Sequence, residues 1–309
     1  MRILMFCLAM LLAAVARAAD CQPSRWGAGD QLGSANLITP ASVLAASRLV
    51  TEGKTYPLGI VIDSNTPAYP PRKMSLQIVQ PGQQFGRRGL PNSTYNDDIF
   101  SAWLGIGSQL DGLGHIGGPE GMFYNCHHGR DFAAITGLTR LGIHAVPPIV
   151  ARGIVLDLAA HRGVDYLEAG QVIGLEEIKA VERQQGTPVR EGDVVLVHTG
   201  WTDAKLQADP AAWGAGEPGI GEAVAHYLAS KNVVAVGADT WGIEAAPFPD
   251  PARPFQGHVI LLKEHGIYLL ETMNTGPLVR DGVYEFLFVL GQARVRGAAQ
   301  MIINPVAIR

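Results

Sequence analysis

The chain has 309 residues, 47% of them hydrophobic and 17% charged, with a formal net charge of -4. That balance excludes an intrinsically disordered chain, which combines low hydrophobicity with high charge. It also argues against a nucleic-acid partner, because that affinity comes mostly from basic side chains on phosphates and no Lys/Arg run is present.

The first residues read differently from the rest. Arg2 is followed by an apolar run from Ile3 to Val15 and by the small-x-small triplet Ala16-Arg17-Ala18. This is the layout of a secretory signal peptide over 1–18, and the apolar run is too short to span a bilayer. The expected mature chain is 19–309, periplasmic or secreted, with no membrane association after signal removal. Cys21 and Cys126 could form one disulfide in an oxidising compartment, but two cysteines make no framework, and they read as free thiols.

Thr39-Pro40 opens a helix running to Ser47, with Thr as N-cap and Pro as first helical residue. Residues 65–98, rich in Pro, Gly and polar side chains, read as long loops and short strands. From Gly153 onward the pattern is clearer. Ile154-Val155-Leu156-Asp157-Leu158 predicts a strand, Leu175 to Gln185 an amphipathic helix, and Val194 to His198 a second strand. Ile220 to Ser230 predicts a helix; Val233 to Gly237, Ile267 to Leu270 and Tyr284 to Leu290 predict further strands. Apolar runs alternating with helices indicate a sheet covered on at least one face, hence one α/β domain.

Two segments concentrate groups that could carry chemistry. In Gln109-Leu110-Asp111-Gly112-Leu113-Gly114-His115, Gln109 and Asp111 face the same way if the stretch is extended. By spacing alone the segment also fits an ordinary Gly-rich turn. In the second, His258 precedes the apolar Val259 to Leu262, and Glu271 closes the apolar Ile267 to Leu270. A Glu there is costly if buried without a partner, and a strand end at the surface is the alternative. No G-x-S-x-G elbow and no G-x-x-x-x-G-K-[ST] loop is present, which lowers serine-hydrolase and nucleotide-binding readings.

Together these segments resemble the metal-dependent cyclase family, which includes bacterial kynurenine formamidase and isatin hydrolase and carries the pattern H-x-G-T-H-x-D-x-P-x-H. Gly105 to His115 aligns with that pattern, and His258-Val259-Ile260-Leu261-Leu262 with Glu271 matches the family's later ligands. Asp30 to Pro40 with Trp26, Gly192 to Leu196 with Thr199-Gly200-Trp201, and Gly237-Ala238-Asp239-Thr240 are similar to other family landmarks in the same order.

The resemblance implies a swivelling β/β/α fold, a mixed sheet or flattened barrel flanked by helices. It implies Asp111, His258 and Glu271 as metal ligands, with Gln109 as a fourth at the place of a family histidine, and His115 as the proton donor and acceptor. The family's two early metal histidines fall on Gly105 and Gln109. Gly105 has no side chain to ligate, and Gln109 offers only a neutral carbonyl oxygen, a harder and weaker donor than imidazole. That departure favours a single divalent ion, shifted from zinc towards manganese, over a two-metal site. The implied activity is hydrolysis of an amide, a formamide or cyclic amide of an aromatic compound, by a homo-oligomer acting on a small molecule. Trp26, Phe123, Tyr124 and Trp241 are candidates for an aromatic pocket and His127 or His128 for substrate contacts, although aromatics also serve plain core packing. His198 is a candidate to support the site from behind. A non-catalytic periplasmic binding protein, or a lyase or cyclase using the same metal, are the competing readings.

Overall fold

The computed structural model describes residues 21–79 and 96–309. The expected signal peptide lies outside the described residues.

A nine-stranded mixed sheet, curled into a half-barrel, forms the centre of the molecule. Numbered in chain order, its strands are β1 (Thr55–Pro57), β2 (Gln109–Asp111), β3 (Ile149–Asp157), β4 (Val194–His198), β5 (Ala235–Ala238), β6 (Tyr268–Glu271), β7 (Glu285–Leu290), β8 (Gln300–Ile302) and β9 (Val306–Ile308). Their spatial order is β1-β9-β7-β3-β4-β5-β6-β2-β8. The four central strands β3, β4, β5 and β6 are parallel, and every pairing outside them is antiparallel. The parallel block is where sequence runs are continuously apolar: all five residues of β4 and all four of β5 are buried. Strands buried on both faces have no reason to alternate.

Three helices cover this sheet. The first, α1 (Pro40–Ser47), is capped as the sequence predicts: the Thr39 hydroxyl accepts from Ser42 N, and the Ser42 hydroxyl accepts from Thr39 N. The second, α2 (Leu175–Gln185), has the expected bounds and turns Ile178 and Val181 inward. It ends at Gly186, whose φ of 68° is the left-handed conformation that favours glycine. The third, α3, spans Glu222–Ser230 rather than starting at Ile220, because Gly219–Ile220 pairs with Val172–Ile173 as a short parallel strand. Leu158 likewise leaves the strand expected to contain it. The Asp157 carboxylate accepts from Ala160 N and starts a helix, Leu158–Arg162.

A separate two-stranded ribbon, Met74–Val79 paired with Asp97–Ala102, occupies part of the Pro- and Gly-rich region. Among the described residues no helix is long and apolar enough to cross a membrane.

The structure corrects the expectation for the cysteines: Cys21 and Cys126 form a disulfide across 105 residues of sequence. What brings them together is not spacing but a polar lock. Asn125 accepts from Ser24 N through Oδ1 (2.7 Å) and donates through Nδ2 to the carbonyls of Gly27 (2.9 Å) and Asp30 (2.8 Å). The Tyr124 hydroxyl adds a bond of 2.7 Å to Asp30.

Candidate metal centre

The site is built by strand register. β2 lies between β6 and β8, with Gln109 opposite Glu271 and Asp111 opposite Gln300. Directly opposed residues of antiparallel strands share a face, and residues two apart on one strand share it too. Gln109, Asp111, Glu271 and Gln300 therefore converge on one side of the sheet. Leu110, Leu270 and Met301 fall on the other side and are buried in the core. The alternation in Gln109-Leu110-Asp111 puts the carboxylate where it is needed.

His258 comes from outside the sheet, at the end of a helical turn, Gln256–His258, that runs on as a π-helix, Val259–Glu264. Irregular turns of this kind recur at functional sites. The imidazole is fixed from behind by Glu244, which accepts from His258 N (2.7 Å) and meets Nδ1 at 2.9 Å through both carboxylate oxygens. With Nδ1 engaged, Nε2 faces Glu271 Oε1 at 2.9 Å and Asp111 Oδ2 at 3.6 Å. A carboxylate behind a histidine in this way orients the ring and sets its tautomer for a metal.

One ligand atom each from Asp111, His258 and Glu271 lies within 4.8 Å of the others, and all three residues are buried. The cluster holds an orphan: Asp111 Oδ2 is buried with no hydrogen-bond partner, while Oδ1 accepts from Gln300 Nε2 at 2.7 Å. A buried carboxylate oxygen without a partner is expensive. Asp, His and Glu are also a donor set suited to a catalytic divalent ion with a position left open. The residues therefore fit one cation.

The electrostatics agree. Burial pushes the Glu271 carboxyl up to about 7, with Asp111 adding to the effect and His258 and Arg72 opposing it. Burial also disfavours a charged His258, but Glu244, Asp111 and Glu271 outweigh it and hold the imidazolium well above its ordinary range. Burial raises Asp111, yet His115, His258 and Gln300 together keep it below the usual value. A fourth carboxyl, Glu217, is raised well above normal, first by burial and then by Glu271 and Glu244, despite a hydrogen bond from Gly242 N of 3.0 Å. Four buried carboxyls gather here around one buried imidazole, and a divalent cation would neutralise the charge that appears when Glu271 and His258 give up their protons.

His115 stands at the rim. Its Nε2 is 3.7 Å from Asp111 Oδ2 and its ring centroid 6.4 Å from that of His258. Burial, reinforced by His258 and Arg72, lowers its pKa despite Asp111. Gln109 donates from Nε2 to Glu271 Oε2, so its amide nitrogen, not its carbonyl oxygen, faces the cluster.

An aromatic wall adjoins these groups. Phe255 lies edge-on to His258 at 5.4 Å, Tyr69 packs against Phe255 at 6.0 Å, and Tyr69 meets Trp241 at 5.3 Å. The Trp241 indole nitrogen is buried without a partner. Of the aromatic candidates from sequence, Trp241 is the one placed here. Trp26, Phe123 and Tyr124 line a different cavity of about 860 Å³, whose lining contains none of Asp111, His115, His258 or Glu271. His127 packs against Phe132 at 6.4 Å, and the His128 ring accepts from Arg130 N. His198 bonds Thr275 through Nδ1 at 2.8 Å and lies 3.5 Å from Asp239, apart from the cluster. Sequence reasoning missed Glu244, Gln300, Glu217, Arg72 and Phe255. A Glu within the mostly apolar Gly242-Ile243-Glu244-Ala245-Ala246 was a usable signal; Gln300 and Arg72 had none.

The family model Cyclase matches residues 56–245, well over half of the chain. The chain belongs to the cyclase family. Its fold is shared with a crystal structure described as a novel cyclase (TM-score 0.83, 28% identity, covering 92% of this chain and 96% of that one). Isatin hydrolase A from Ralstonia solanacearum is similar in fold at 18% identity, with a TM-score of 0.63 and coverage of 88% and 98%. So is a protein described as a potential metal-dependent hydrolase with cyclase activity, at 17% identity, TM-score 0.52 and coverage of 82% and 98%. No curated protein matches the chain. For a cyclase-family chain, the site at β2, β6 and His258 is a candidate centre for a divalent metal.

Proposed function

We propose that this cyclase-family protein is a metal-dependent hydrolase acting on an amide of an aromatic compound, a formamide or a cyclic amide. The observation that carries the reading is the convergence of Asp111, His258 and Glu271 around the unpartnered Asp111 Oδ2. A divalent cation held by these three residues would polarise a carbonyl and lower the pKa of a water molecule. Glu244 and Gln300 hold two of the ligands in place. His115, kept neutral by its burial, accepts the proton of the attacking water and returns it to the leaving nitrogen. Tyr69, Trp241 and Phe255 supply a flat apolar wall for an aromatic substrate.

Manganese or zinc suits the donor set, with one ion per chain. Export to the periplasm or beyond is supported by the signal layout and by the Cys21–Cys126 disulfide, since such bonds persist in oxidising compartments. Self-association is supported by the ribbon, whose Leu76, Ile78 and Phe100 share one face and are exposed.

The test combines metal analysis with turnover of isatin, N-formylkynurenine and related aryl amides. Wild type is expected to carry one divalent ion and to hydrolyse a member of this set. D111N is expected to lose the metal, and H115Q to keep it while kcat falls by roughly 10²- to 10⁴-fold, the usual contribution of a positioned acid–base group. A metal-free active wild type, or an active D111N, overturns the proposal.

A further inference from the structure

A side chain at position 105 would have to displace two neighbouring side chains. A Cβ built there would stand 2.6 Å from both amide atoms of Gln300 and 2.8 Å from Nη1 of Arg72. The space beside the metal cluster is thus already filled, by an amide that bonds Asp111 and by a guanidinium. Arg72 is anchored through Nη1 to the Gly105 carbonyl at 2.7 Å. Its charge reaches both sides of the site, disfavouring the imidazolium of His115 and favouring the carboxylate of Glu271.

The Arg72 guanidinium is nevertheless unpaired: among the described residues no carboxylate forms an ion pair with it, and it donates to the Gly105 carbonyl. Arg72 is half-buried, its charge is felt by Glu271 and His115, and it is bound to no carboxylate among the described residues, so its guanidinium is open to a ligand. The same short segment, Tyr69-Pro70-Pro71-Arg72, carries the aromatic ring that meets Trp241 and Phe255. One stretch of chain therefore offers an apolar face for a ring and a planar cation near it.

We propose that Arg72 is a substrate-binding residue that holds a carboxylate, and that the substrate is an aromatic amide carrying that carboxylate. The fork of guanidinium N–H groups matches the two oxygens of a carboxylate, a geometry that Lys cannot reproduce. A fixed positive charge here also disfavours a second cation, in keeping with the one ion per chain of the proposed function. The inference rests on the metal-hydrolase reading.

The test uses the metal-loaded full chain with benzoate and benzamide as probes in isothermal titration, alongside metal-to-protein ratios. Wild type is expected to hold one ion and to prefer benzoate over benzamide. Arg72→Met is expected to keep its metal and its melting temperature but to bind benzoate about tenfold or more weakly, the scale of a lost charged hydrogen bond. Benzamide binding should be unchanged. Arg72→Lys, which preserves charge and fold, should lie between the two. Wild type without a preference for benzoate, Arg72→Met with wild-type benzoate affinity, or two ions per chain overturns the inference. A wild type that binds no metal would instead strike at the hydrolase reading, so the two failures are distinguishable.

Discussion

At the residue scale the site is governed by competition between protons and a cation for the same atoms. Asp111, Glu271 and His258 are buried, and a cation must displace the protons that Glu271 and His258 hold in its absence. The Glu271 carboxyl is raised to about 7, above its value in an unfolded chain. A raised group contributes stability that is fully present below its unfolded pKa and is lost as pH rises through the folded one. The metal-free protein is therefore expected to lose thermal stability between about pH 5 and 8. The metal-loaded protein is expected to gain relative to it over the same range, because the cation replaces the missing protons. Melting curves of stripped and reloaded protein across that range check this; a metal-induced shift that is constant with pH would contradict it.

At the scale of elements, a three-residue strand supports much of the chemistry. β2 is short, but both its edges are paired, so Gln109 and Asp111 are aimed by register rather than by side-chain packing. Farther along the sheet, packing between strands is just as specific. Gly153 on β3 stands opposite Phe286 on β7, and a Cβ at Gly153 would lie 2.2 Å from the ring of Phe286. The ring occupies the space the glycine leaves. Gly153→Val is expected to destabilise the fold by about 2 kcal/mol, as overpacking of a dense core does. Urea unfolding reads this directly, and Gly153→Val combined with Phe286→Leu should recover part of the loss.

At the scale of the molecule, the segment before α1 is tied to the loop around Cys126 by a disulfide and by the bonds of Asn125 and Tyr124. A crosslink closing so long a loop restricts the unfolded chain by about 5 kcal/mol in the chain-entropy account. Cys126→Ser is expected to lose stability of that order in denaturant titration and to become insensitive to reductant. Metal content should be unaffected, because neither cysteine is part of the Asp111, His258 and Glu271 cluster.

Local pattern alone placed α1, α2 and β4 at their observed positions, because capping residues and continuous apolar runs act over a few neighbours. The order of motifs also exposed the resemblance that singled out Asp111, His115, His258 and Glu271. What sequence could not show depends on contacts between distant segments. Gln300 on Asp111 and Arg72 in the space at Gly105 have no local signature, and the apolar setting of Glu244 marks it as unusual without showing that it stands behind His258; each acquires its role from contacts between distant segments. The cysteines teach the same lesson. Two thiols read as unconnected until Asn125 and Tyr124 fasten the segment after residue 21 beside Cys126. The sequence by itself determined the residue types that can bind a cation and the strand that ends at Glu271, but not the short strand that carries Asp111. Tertiary structure alone decided which partners neutralise those buried charges, because burial and charge pairing are properties of the assembled sheet and not of any one segment.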